Sequence, residues 1–121
     1  MSNERRKYPR IELGGVVNIQ VAGIVRHGTL LNLSPSGIHI ECNQELIEQL
    51  QELKSAVGLY PEFELDFTLR GTKQKAVESV CSVSYCRRLN QQLYHLGLNF
   101  LVISDADEKE VEDYIKQAVA A

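Results

Sequence analysis

Two short constellations carry the residue types from which a binding site can be made. The first is Arg6-Lys7-Tyr8-Pro9-Arg10, an RxxxR spacing with Arg5 directly in front. The second is Asn32-Leu33-Ser34-Pro35-Ser36-Gly37, an [D/N]xSxxG spacing that also reads as a tight turn. Guanidinium groups bind anions through planar, bidentate hydrogen bonds. The surrounding charge points the same way. Residues 1–10 carry a net charge of +3, whereas the other 111 residues sum to −6. A cationic head on an acidic body suggests an anion captured at one end, not an extended track for nucleic acid.

Residues with catalytic potential form no such pattern. His27, His39 and His95 fall in separate strand-like runs, and no HExxH, CxxC or GxSxG occurs. Cys81 and Cys86 are expected to face opposite sides of one strand, which suits neither a metal nor a disulfide. Together with Cys42 they make an odd count in no tight pair, typical of a reducing compartment. Carboxylates gather at helix starts and on outer strand faces. No enzyme activity is expected.

The elements that must position the two motifs are mostly strands. Val16 to Val21 and Ile24 to Leu33 flank an Ala22-Gly23 turn. In the second run, strict alternation puts Asn32 with Ile24, Arg26, Gly28 and Leu30, and Leu33 on the other side. Gly37 to Glu41 resumes as strand after the Ser34–Gly37 turn. The period then changes. Asn43 is an N-cap, Leu46, Ile47, Leu50, Leu53 and Val57 follow helical spacing, and Gly58 ends the run. Phe63, Leu65, Phe67 and Leu69 alternate on one face, joined through Arg70–Lys73 to a long strand over residues 75–86. There Val77, Cys81, Val83 and Tyr85 share a face. After a polar loop, Tyr94 to Val102 is the last strand. Ser104 opens a final helix with an apolar stripe of Val111, Tyr114, Ile115 and Ala118.

The 121 residues, 44% hydrophobic and 24% charged, suit one globular domain. Residues 1–10 are expected to be a flexible basic arm and residues 11–121 the folded domain. No apolar run reaches the ~18 residues needed to cross a bilayer. The first ten residues lack the apolar core of a signal peptide. The expected location is therefore the cytoplasm, without membrane insertion. Six strands joined by short turns favour an all-β, six-stranded antiparallel barrel, with a C-terminal α-helix and a short inserted helix.

The two motifs, in this order and about twenty residues apart, resemble those of the PilZ domain family, bacterial receptors for cyclic di-GMP. The resemblance continues through Val77 to Arg87 and His95-Leu96-Gly97-Leu98-Asn99-Phe100 to the terminal helix. It implies a six-stranded antiparallel barrel, matching the independent strand count. The helical stretch from Gln44 to Ser55 is longer than the family's usual connection and is read as an insertion or a plug of a barrel end.

The resemblance also implies roles. Arg6 and Arg10 clamp the ligand, since a guanidinium matches the O6/N7 edge of guanine and stacks on its ring. Asn32, where the family often has aspartate, meets a base edge through its amide, without a charge-assisted bond. Ser34 offers a hydroxyl, and Gly37 turns tightly with no Cβ in the way. Arg5, directly before the first motif arginine, implies an intercalated ligand dimer. Tyr85 fits either an aromatic surface beside the site or the core face, and is not counted among the site residues. No cofactor or metal is implied. Cyclic di-GMP and an unidentified downstream protein are the expected partners. The alternatives are nucleic-acid binding through the basic arm and a PilZ-like module that has lost its ligand.

Overall fold

Alternating apolar residues bury one face of each strand only if the strands find neighbours on both edges, and closure provides these for all of them. The fold is a computed structural model that describes residues 11–12, 14–70 and 75–120. Its elements are β1 (Ile11–Glu12), β2 (Val16–Val21), β3 (Ile24–Ser34), β4 (Gly37–Asn43), α1 (Gln44–Glu52), β5 (Phe63–Leu69), β6 (Lys75–Arg88), β7 (Leu93–Ile103) and α2 (Asp105–Ala120). All pairings are antiparallel. The order β3-β2-β5-β6-β7-β4 returns from β4 to β3, closing the expected six-stranded barrel. The short β1 lies outside that count. It takes up the edge of β3 where β2 leaves off, pairing Ile11 with Leu33 and Glu12 with Asn32.

Inside the barrel, Val17, Ile19 and Val21 of β2 meet Ile38 and Ile40 of β4, the full Phe63–Leu65–Phe67–Leu69 face of β5, and Leu96 and Leu98 of β7. Each fully buried aliphatic or aromatic side chain contributes about 1.5–3 kcal/mol. The β2–β3 connection is a two-residue turn, Ala22 (φ 51°) and Gly23 (φ 80°). Both residues are left-handed, as a hairpin that follows the right-handed strand twist requires.

α1 closes one end. The Asn43 side chain accepts the Leu46 N–H at 3.2 Å, and Leu46, Ile47 and Leu50 are fully buried in the core. The Gln49 amide donates to the Val21 carbonyl (3.0 Å), and Arg26 meets Glu45 at 3.4 Å, tying the helix to the β2–β3 hairpin. The helix stops at Glu52, short of the expected Ser55, and Leu53 and Val57 are exposed. Three residues already fill the barrel mouth, so nothing remains for the next turn to cover. The chain instead makes a separate turn, in which Ser55 N–H donates to the Leu59 carbonyl and Gly58 adopts φ 82°.

α2 begins where Ser104 Oγ accepts the Asp107 N–H at 3.0 Å. It packs Val111 and Ile115 inward against β6, β3 and β1. Ala118 is exposed, so the apolar stripe is shorter than its periodicity suggested. Among the described residues no helix is long and apolar enough to cross a membrane. The expected hairpin connection at Arg70–Lys73 lies outside the described residues beyond Arg70.

Candidate ligand-binding site

Two β-bulges build the site. On β3, Leu30 pairs with Ile40 but Asn32 pairs with His39, so Leu31 is an extra residue. A bulge reverses the inward–outward alternation beyond it. Leu30 and Leu33 are therefore both buried, and Asn32 is turned off the Leu30 face to which strict alternation assigns it. On β6, Val83 pairs with Leu98 but Tyr85 pairs with Gly97, making Ser84 the extra residue. Tyr85 is consequently 42% exposed, not on the core face with Val77 and Cys81. The same reversal turns Cys86 inward to pack against the core, so Cys81 and Cys86 do not face opposite sides.

The bulges bring Asn32 and Tyr85 to one outer row. The backbone pairing across β3, β4, β7 and β6 reads Asn32–His39–Gly97–Tyr85. Tyr85 lies over Gly97, where an added Cβ would come within 2.2 Å of Tyr85 Cε1. Its ring meets His39 edge-on, with centroids 5.3 Å apart and planes at 87°. Ser84 Oγ donates to the Gly97 carbonyl at 2.9 Å and holds the bulge. Beside this row, Ser34 pairs with Gly37 across the Pro35-Ser36 turn, and Ser34 Oγ donates to the Gly37 carbonyl at 3.3 Å.

Gly37 has a different reason for being glycine than a tight turn. Among the described residues, positive φ values occur only at Ala22, Gly23 and Gly58. A Cβ on Gly37 would instead stand 2.1 Å from the Leu98 carbonyl oxygen of β7. The close passage of β4 along β7 excludes a side chain there.

The result is a cavity of about 200 Å³ lined by Asn32, Ser34, Ser36, Gly37, Ile38, His39, Ser84, Tyr85, Leu98 and Asn99. Amides, hydroxyls, an imidazole and a phenol face it, and none of these residues is a carboxylate. The structure thus gathers Asn32, Ser34 and Gly37, as their spacing suggested. Arg5, Arg6 and Arg10 lie outside the described residues. Sequence reasoning missed His39, Ser84 and Asn99 and set Tyr85 aside. Their only sequence signal is polarity within strands, and that does not reveal where a bulge turns them.

A larger cavity of about 400 Å³ lies elsewhere, over β2, β5, β6 and the start of α2. Glu64, Asp66, Glu78 and Asp107 line it. Asp66 and Glu78 stand directly opposite on paired strands, and Asn18 donates to Asp66 at 2.9 Å. Such a surface repels anions.

The thiols are poor nucleophiles. Burial pushes Cys42 up to about 12 and Cys81 up to about 11, and burial also raises Cys86. Among the described residues no three His, Cys, Asp or Glu side chains converge as metal ligands.

No curated protein matches the chain in sequence. Several solved structures share its fold. The Bacillus subtilis inhibitor of motility MotI/DgrA matches with a TM-score of 0.71 at 16% identity, over 97% of this chain and 52% of that one. The PilZ domain of YcgR from Escherichia coli, solved with c-di-GMP, gives 0.64 at 14% identity, over 97% and 93%. MrkH of K. pneumonia, in its c-di-GMP complex, gives 0.63 at 15% identity, over 97% and 53%. The chain thus spans about half the length of MotI and MrkH. The PilZ domain model itself matches residues 4–117, a span holding both the RxxxR and the [D/N]xSxxG motif, and the chain belongs to the PilZ domain family.

Proposed function

We propose that this chain is a receptor for cyclic di-GMP, seating the ligand against the cavity at Asn32, Ser34 and Gly37 and closing Arg6 and Arg10 over it. The observation that carries this reading is the convergence of that polar cavity, with no carboxylate among its described lining residues, with the start of β1. Ile11 pairs with Leu33, next to Ser34, and Arg10 is one peptide bond upstream of Ile11. Arg6, five residues upstream of Ile11, has a reach of up to about 17 Å from it. The c-di-GMP complexes of YcgR and MrkH, on the same fold, support the choice of ligand.

The size of the cavity supports a clamp. About 200 Å³ is less than the ~300–1,000 Å³ of pockets that enclose a small-molecule ligand. The barrel therefore seats part of a cyclic dinucleotide, and the arm must cover the rest. Ordering ten residues costs on the order of 10 kcal/mol of backbone entropy. Charge-assisted bonds of ~1.5–3 kcal/mol each and stacking of ~1–3 kcal/mol per base offset it, leaving affinity at about micromolar or tighter. Arg5 adds a third guanidinium and, with it, a second, stacked ligand molecule. The ligand is bound and released without chemical change. The ordered arm and covered cavity form the surface that a downstream protein reads.

Calorimetric titration with cyclic di-GMP tests the proposal. The native chain should bind two molecules. Arg10→Ala should weaken binding about tenfold or more, since it removes a bond of ~1.5–3 kcal/mol. Arg5→Leu should lower the stoichiometry toward one. Undiminished affinity in Arg10→Ala would refute the clamp.

A further inference from the structure

Resting on the proposed cyclic di-GMP site, we infer that Asn99 is a further ligand-binding residue, whose side-chain amide pairs with the N1–H and O6 edge of a guanine lying across Gly37. The asparagines divide by what their side chains hold. Among the described residues they are Asn18, Asn32, Asn43, Asn90 and Asn99. Asn18 donates to Asp66 at 2.9 Å and meets His27 at 2.8 Å, Asn43 caps α1, and Asn90 accepts the Gln92 and Leu93 N–H groups in the β6–β7 turn. The side chains of Asn32 and Asn99 bond no described group, and both line the small cavity. A carboxamide with no structural partner keeps its NH2 donors and its carbonyl acceptor for a ligand.

Strand pairing sets Asn99 opposite the motif on β3 and β4. Ser34 pairs with Gly37 and Gly37 pairs with Asn99, so a row Ser34–Gly37–Asn99 runs beside the row Asn32–His39–Gly97–Tyr85. β3 and β7 stand two strand spacings apart, roughly 10 Å, and the strand between them carries no side chain at Gly37. Ser34 and Asn99 thus flank bare backbone on which a flat purine can lie. Asn99 is exposed, so its amide is reached without disturbing the core.

The edges of guanine divide the work between arm and barrel. The guanidiniums of Arg6 and Arg10 carry donors only, which suit the O6/N7 edge and the phosphates. The N1–H of guanine needs an acceptor, which no guanidinium supplies and the Asn99 carbonyl does. The Asn99 NH2 group can then share O6, whose two lone pairs serve both partners. A phosphate at this position would use the NH2 group alone and set its charge against the carbonyl oxygen.

The test is calorimetric titration of the full chain and two variants with cyclic di-GMP, with a denaturant melt of each. Asn99→Ala removes two hydrogen bonds and should bind about tenfold more weakly, with its melt unchanged because the amide holds nothing in the fold. Asn99→Asp should bind more tightly than Asn99→Ala, since a carboxylate accepts from both N1–H and the guanine amino group through charge-assisted bonds. Native affinity in Asn99→Ala, or a loss of affinity matched by a loss of stability, would overturn the role of Asn99 and leave the receptor reading intact. Weaker binding by Asn99→Asp than by Asn99→Ala would place a phosphate beside this residue and overturn the base-edge assignment. Absence of binding by the native chain would overturn the receptor reading and this inference with it.

Discussion

Two cavities among the described residues differ in the opposite sense from what size alone suggests. The one over β2, β5 and β6 is about 400 Å³ and lined by four carboxylates. The one over β3, β4, β7 and β6 is about 200 Å³, and no acid is among its described lining residues. The large cavity lies where acidic side chains gather over β5, β6 and the start of α2, with Asp66 facing Glu78 across the strand pair. The small one comes from backbone irregularity: two bulges and two glycines that let β7 and Tyr85 approach closely. For an anionic ligand, the sign of the lining charges decides which cavity serves.

That contrast predicts different kinds of sensitivity. The largest effect is expected at Gly37. Gly37→Ala sets a Cβ against the backbone carbonyl of Leu98, which cannot rotate away, and should destabilise the fold by about 3 kcal/mol, the upper end of overpacking costs. A denaturant melt measures this, and a loss indistinguishable from zero would show that β4 and β7 can part there. Gly97→Ala should behave differently. Its new methyl meets a ring that is 42% exposed and free to swing outward, so stability should fall by only about 1 kcal/mol. Ligand affinity should drop several-fold as Tyr85 leaves the cavity it lines, and titration against the native chain reads this directly. The smallest effect belongs to the large cavity. Glu78→Gln removes one of two like charges on paired strands and should stabilise the protein by about 0.2–1 kcal/mol. It should leave cyclic di-GMP affinity within about twofold of the native value. A large loss of affinity in that variant would transfer the ligand to the acidic side.

Alkaline pH sharpens the picture of the core. Cys42 and Cys81 are held as neutral thiols by burial, so the folded chain keeps protons that the unfolded chain releases near the ordinary thiol range. Their contribution to stability is fully present below about pH 9 and is lost as pH rises toward the raised values of about 11 and 12.

The barrel was legible because burial and alternation coincide along most of its strands. Phe63, Leu65, Phe67 and Leu69 show the pattern without interruption, and β5 is where expected. The motif at Asn32, Ser34 and Gly37 was legible as a spacing, but the reasons behind it were not. Asn32 faces outward because Leu31 is bulged against β4, and Gly37 is glycine because β7 passes within a methyl's width. The second depends on a strand distant in sequence, and the first on an extra residue in a hairpin that strict alternation does not register. Tyr85 was misplaced for the same reason, since alternation has no means of registering the extra residue at Ser84. The end of α1 was misjudged because helical spacing ran on past the surface available to bury it. Leu53 and Val57 keep the period but have nothing to cover.

The central claim is that the smaller, bulge-built cavity is the ligand seat. Backbone amide shifts of the native chain, followed by NMR during titration with cyclic di-GMP, test it most directly. The account predicts shifts concentrated at Asn32 to His39, Ser84 to Tyr85 and Leu98 to Asn99, with Glu64 to Asp66 and Glu78 to Val80 unmoved. Shifts centred on Glu64, Asp66, Glu78 and Asp107, or no shifts at any ligand concentration, would contradict it.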